Sequence, residues 1–174
     1  MIKINLFNKS EDEMTLHLGE IYHTWEHLNM SKSCMSKFSL LKNHTDDKDL
    51  KKFIDDIQRN MIKPEIKDLE EILLDNGIEI PPSAKKHPRI NAETIPPGGR
   101  FSDKEIANCI ANDLKQAMTS SSMVISLSTN EKLAMFFAKH HEQIVKYGGK
   151  MLKLMKEKEW ITIPPLQKKT PELV

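Results

Sequence analysis

Apolar and small residues recur every three to five positions from Glu13 to Lys42, at Leu16, Ile21, Thr24, Leu28, Ser31, Met35, Phe38 and Leu41. That spacing turns one helical face towards a core and predicts a first helix, A, over 13–42. "NHTDDKDLKKF" breaks and restarts the pattern. Thr45 or Asp46 is placed there to cap, with acids in the first turn, where the helix dipole favours negative charge. Helix B comes next, over 46–76, with Leu50, Ile54, Ile57, Met61, Leu69 and Ile72 in line and Gly77 as a left-handed stop. Pro64 lies inside this run, and its missing N–H predicts a kink.

Residues 78–101, "IEIPPSAKKHPRINAETIPPGGRF", hold five of the nine prolines and continue neither helix. Ser102 or Asp103 then caps helix C, over 103–128, with Ile106, Ile110, Leu114, Ala117, Ser121 and Val124 inward. "STNEKLAMFF" opens helix D, over 130–159, with Leu133, Phe137, Ile144, Gly148, Met151 and Met155 inward. Residues 160–174 form an extended tail, packed by Trp160 and Ile163 before it frays. Together, residues 1–174 read as one domain. Its fold class is all-α, a four-helix bundle.

The A–B and C–D links are short and force antiparallel hairpins. The 24 residues of the long connection, at up to about 3.3 Å each, can cross a helix of about 40 Å. That length permits the up-down-down-up order of a ferritin-like bundle with a Pro-rich crossover between B and C. An up-down-up-down bundle with a loose loop is the alternative.

Composition agrees. Ten Met and 6% aromatic residues suit pliable helix packing better than sheets. Twenty-six Lys and Arg against 25 Asp and Glu leave +1, so no overall field draws the chain to nucleic acid or an anionic membrane. No run of about 18 apolar residues and no cleavable leader is present. The expectation is a protein that is cytoplasmic when synthesised, with no nucleic-acid or membrane partner. Cys34 and Cys109 match no metal or redox spacing and read as buried thiols.

The chemistry lies in the inward polar residues. Glu20 and His23 form a Glu-x-x-His, the spacing with which helix bundles hold metal. A wheel at about 100° per residue, however, places His17 and Glu20 on the core side of A and His23 and His27 on its margin. Glu65 and Asp68 fall within the stripe of B, Asp113 within that of C, and His141 within that of D, with His140 at the edge. Buried carboxylates must be paired, hydrogen-bonded, protonated or metal-bound. Two readings stay open. In one, Glu20, Glu65, Asp113 and His141 converge on an ion of iron, manganese or zinc. In the other, no cofactor is expected, and His17, Glu20, Asp113 and His141 form a buried polar network that sets helix register. A complete di-metal set is missing, because Phe137 and Ala138 stand where acids before His140 and His141 would be needed.

Other features are weaker. "TSSSMVISLST" offers serines, but no nucleophile turn surrounds them and no base is placed by sequence. "PPGGR" lacks the Gly-Lys-Ser/Thr of a phosphate loop. His44 is placed to cap carbonyls at the end of A, and His87 faces solvent in the Pro-rich loop. The amphipathic run Lys150–Trp160 reads as a solvated outer face.

The stretches "LHLGEIYHTW", "NHTDDKDLKKF", "NGIEIPP", "IPPGGRFSDKEIA" and "GGKMLKLMKEKEWITIPP" resemble an uncharacterised family of endospore-forming bacteria designated putative spore coat proteins. The resemblance runs from Leu16 to Pro165. It implies a ferritin-like four-helix bundle without established enzymatic activity, and it marks His17, Glu20, Trp25, His44, Asp113 and His141, but neither His23 nor His27. Where the family tends to carry a glycine just before the tryptophan, this chain has Glu159, which suggests a slightly longer helix D. The function expected is that of a non-enzymatic structural protein, possible partners being its own copies as a homo-oligomer or other coat proteins, with the spore coat as destination.

Overall fold

The computed structural model describes residues 15–83, 85 and 87–165. Among these, five α-helices form: α1 Leu18–Asn43, α2 Lys48–Ile57, α3 Lys63–Asp75, α4 Asp103–Leu127 and α5 Glu131–Glu157. A π-helical turn, Gln58–Ile62, joins α2 to α3, so there are four helical passes and no strand among the described residues.

Cross-helix contacts establish the order of the passes. Lys42 meets Asp55, and His27 meets Glu65, so α1 and α2–α3 run antiparallel. Lys37 meets Asp113, while Glu20 meets Thr129 just beyond α4, so α1 and α4 are also antiparallel. Ser121 beside His141 makes α4 and α5 antiparallel in turn. The passes are therefore up, down, down and up. The connection after α3 must return along the bundle, and it does so against α1. Trp25 donates to the carbonyl of Glu79, Lys32 to Pro81, Ser36 to Lys85 and Asn43 to Pro88. These four lie at spacings of seven, four and seven, one stripe of α1 that serves as a rail for backbone carbonyls with no ladder of their own.

Local chemistry explains the boundaries. His17 is the N-cap of α1 within a capping box closed by Glu20, so α1 starts later than residue 13. Residues 1–14 lie outside the described residues, as do residues 166–174 of the expected tail. Asp47, rather than Thr45 or Asp46, caps α2 by accepting from the N–H groups of Asp49 and Leu50. Thr45 is buried beneath that turn, accepting from Asp47 and donating to Asp103 at the start of α4. Ser102 caps α4 in a capping box with Glu105, and Asn130 caps α5. The irregularity expected from Pro64 takes the form of the π turn. Lys63 N–H reaches back to Gln58, and proline, which has no N–H to return, comes next in the first turn of α3.

The core divides in two. One cluster gathers Phe38, Leu50, Ile54, Ile57, Ile106, Ile110, Ile144 and Met151. The other gathers Leu16, Leu28, Leu69, Leu73, Val124, Leu133 and Phe137. Trp160 and Ile161 pack against the first, whereas Ile163, expected to anchor the tail, is exposed.

The end of α5 also differs from expectation. The helix stops at Glu157, and Trp160 N–H closes back on Met155. Glu159 takes φ +59, the left-handed conformation in which a Cβ crowds the following carbonyl. Glycine suits this position, so the helix runs no further for lacking one. Glu159→Gly is expected to stabilise the protein by about 1 kcal/mol, read as an upward shift of the urea midpoint with an unchanged slope.

Candidate functional site

Between the two apolar clusters lies a polar waist centred on Glu65. This side chain is buried, and its Oε1 lies 2.9 Å from His27 Nε2 while Oε2 accepts from Ser31 Oγ at 3.1 Å. His27 is 1% exposed. Its other ring nitrogen, Nδ1, lies 2.9 Å from Ser120 Oγ on α4, and the His27 and Phe137 rings stand nearly perpendicular with their centroids 5.2 Å apart. From α5, His140 Nδ1 stands 3.8 Å from Glu65 Oε1 and its Nε2 4.0 Å from Asp68. All four passes thus reach one carboxylate, directly or through His27. Burial pushes the His140 imidazole below the ordinary histidine range, against the raising pull of Glu65 and Asp68, and His27 adds to the depression. At 3.8 Å His140 is beyond hydrogen-bond distance of Glu65, so His27 and Ser31 are the side chains that bond it directly.

A second polar centre sits at the end of the bundle. Glu20 is fully buried and accepts from three backbone N–H groups: His17 at 2.9 Å, Thr129 at 2.8 Å and Asn130 at 2.9 Å. It closes the N-terminus of α1 and the turn before α5 together. Burial works to raise its carboxyl, but the N–H groups of Asn130, His17 and Thr129 outweigh that and hold it below the usual carboxylate range. His17 Nδ1 accepts from Gly19 and Glu20, and its Nε2 lies 3.4 Å from the carbonyl of Leu127. A Cβ on Gly19 would come 2.9 Å from this ring, so glycine is what lets the imidazole fold over the helix end.

The expected set is not brought together. Glu20 lies opposite Thr129 and Asp113 opposite Lys37, some 17 residues apart along α1, which is about 25 Å at helical rise. Asp113 is held by Lys37 at 2.6 Å. His141 is half-buried and hydrogen-bonds Ser121 at 3.0 Å, so it joins neither carboxylate. The network expected from His17, Glu20, Asp113 and His141 is therefore three separate contacts, with only His17 and Glu20 in touch. Among the described residues, no three His, Cys, Asp or Glu side chains are placed to hold a metal ion. An iron, manganese or zinc ion has no shared donor set at Glu20, Glu65, Asp113 and His141.

Other placements are corrected too. His27, assigned to the margin, is at the centre, and Asp68, assigned to the inward stripe, is exposed. His44 ends α1 through its backbone N–H to Leu41, and its ring accepts from Phe101 N–H instead of capping carbonyls. Burial pushes the Cys34 thiol up to about 12, with Asp113 adding, which leaves it protonated and inert. A signal for the waist was present in the sequence. His27 and Ser31 stand four apart and flank Leu28, and the serine run supplies Ser120, but their pairing is long-range.

Comparison with known proteins adds kinship. Residues 4–173 match the family model described as protein of unknown function (DUF3231). The chain is 32% identical over 162 residues to the uncharacterized protein YvdQ of Bacillus subtilis (strain 168), covering 92% of this chain and 94% of that one. It also resembles the crystal structure of a putative spore coat protein from Bacillus halodurans C-125. That match has a TM-score of 0.86 and 37% identity, and covers 89% of this chain and 97% of the other.

Because the folded-state carboxyl of Glu20 is depressed below 4.5, its contribution is complete above that pH and is lost as pH falls through the folded value. Glu20→Gln is expected to cost about 1.5–3 kcal/mol at neutral pH, the loss of charge-assisted bonds to N–H groups. The gap to the wild type should narrow towards about pH 3, measured by urea unfolding across the acid range.

Proposed function

We propose a structural role, exerted through assembly in the coat of a bacterial spore, for this chain, which belongs to the family described as protein of unknown function (DUF3231). The observation that carries the reading is the likeness to the putative spore coat protein of Bacillus halodurans, 37% identical and nearly full-length in both directions. Fold likeness alone would not carry function, so surface chemistry matters as well. Among the described residues no helix is long and apolar enough to cross a membrane.

The outer face of the α4–α5 pair supports association. A groove of about 410 Å³ runs between them, lined by Leu114, Met118, Val145, Met151, Leu152 and Met155. Val145 and Leu152, seven apart on α5, are 49% and 43% exposed. Gly148 stands between them, where a Cβ would lie 3.2 Å from the Met118 methyl, so the groove floor depends on a small residue. Methionine-rich apolar surface adapts to partners of varied shape. A second copy of this chain is one occupant, and another coat component is the other.

Sedimentation of the full chain is expected to show mass rising above the monomer with concentration, and Val145→Glu with Leu152→Lys should return it to monomer. In sporulating cells, antibodies should find the protein in coat extracts. A strict monomer absent from the coat fraction would defeat the reading.

A further inference from the structure

The serine run at Thr119–Ser122 lacks any base nearby in sequence, yet the fold supplies one. Around Ser120, Thr119 donates to Lys115 O and Ser126 to Met123 O, while Ser121 donates to Ala117 O and, like Ser122, lies beside His141 on α5, at 3.0 and 3.5 Å. Ser120 instead meets His27 Nδ1 at 2.9 Å, and His27 Nε2 meets Glu65 at 2.9 Å. With Glu65 a carboxylate, the His27 tautomer that holds its proton on Nε2 donates to Glu65 and presents Nδ1 as acceptor to the serine hydroxyl. Serine, histidine and carboxylate stand in the order that activates a nucleophile, and such sets are recognised by geometry, whatever their sequence order.

Access is present as well. Ser120 is half-buried and lines an open pocket of about 410 Å³ between α1 and α4, shared with Asn29, Gln116, Thr119 and Met123. His27 lies beneath it, screened from solvent, and Glu65 lies deeper still. The polar carboxamides of Asn29 and Gln116 lie on the same walls as the apolar Met123 side chain.

We propose that Ser120 is a nucleophile towards small carboxylic esters, with His27 as its general base and Glu65 as the residue that positions His27. Ser120 Oγ bonds to the ester carbonyl carbon as its proton passes to His27 Nδ1, and the carbonyl π pair moves to oxygen. Collapse breaks the bond to the alcohol, which leaves with the proton from His27. Water then repeats the sequence on the acyl-serine, releasing the acid and restoring the hydroxyl. Ser120 is mid-helix, so its own N–H is engaged in α4, and the side-chain amides of Asn29 and Gln116, which line the same pocket, are the donors available to a developing oxyanion. Side-chain donors in an open pocket set a modest rate.

The test is a fluorophosphonate probe on the full native chain, read by intact mass and peptide mapping, beside hydrolysis of p-nitrophenyl butyrate. One adduct is expected, on Ser120, in the native chain and none after unfolding in urea. Ser120→Ala, a substitution that keeps the helix, removes both signals. His27→Gln slows labelling by about 100-fold or more, with the helical circular dichroism retained. Glu65→Gln lowers the maximal labelling rate without changing the probe concentration at half-maximum. No adduct, an adduct on another residue, or labelling undiminished in Ser120→Ala would overturn the assignment. Since Ser120→Ala leaves the α4–α5 groove intact, these outcomes are independent of assembly.

Discussion

A carboxylate removed from water has to be met by donors, and in this bundle that demand falls at mid-height on Glu65. Leaving one charge of a buried pair alone costs about 3–5 kcal/mol, more than most single contacts in a domain contribute. His27 and Ser31 from α1 answer it directly, His140 approaches from α5, and Ser120 on α4 joins through His27. A shift of any pass by one turn would move a partner by about 5 Å and strand the carboxylate between two apolar clusters. The waist thereby sets register for helices whose apolar contacts alone would tolerate sliding. The π turn immediately before α3 belongs to the same arrangement. It absorbs the missing donor of Pro64 and precedes Glu65 by one turn, and such turns recur where a helix must aim a side chain.

Two further devices complete the frame. At one end, Glu20 gathers backbone N–H groups from two separate helix starts, so the capping of α1 and the turn into α5 form one unit. Along the outside, Trp25, Lys32, Ser36 and Asn43 fasten the crossover carbonyls. Lys32 is nearly buried and also pairs with Glu70 at 2.7 Å, tying the connection to α1 and α3 at once. A connection of this length, whose described residues form a regular element only in the 3-10 turn Ala92–Thr94, is uncommon in a compact domain, and here its carbonyls are fastened along α1.

The passes and the crossover were legible because apolar periodicity and proline density report burial and backbone breaks directly. Glu65 and Glu20 were legible as inward acids for the same reason. The failures have physical causes. α1 is covered by the crossover on one outer stripe and packs on α2, α3 and α4 elsewhere, so its polar residues are spread around the wheel and no single apolar stripe marks His27 as buried. A uniform α-helical wheel through Gln58–Ile62 puts Asp68 inward, but the wider π turn rotates the face of α3 and Asp68 faces solvent. Adjacent His140 and His141 differ by about 100°, and only the packing of α5 on α3 and α4 decides which one faces Glu65. The glycine preference before Trp160 pointed to a conformation rather than to helix length, as φ at Glu159 shows.

The central claim is that His27 and Glu65 are energetically coupled across α1 and α3. A double-mutant cycle of His27→Gln and Glu65→Gln, measured by urea unfolding at neutral pH, addresses it most directly. A coupling of about 1.5 kcal/mol or more is predicted, since each single change already removes the charge-assisted His27–Glu65 pair and the second change has no such pair left to remove. Additive losses, with coupling near zero, would show that the waist is packing alone and that neither the register nor the serine chemistry is built on it.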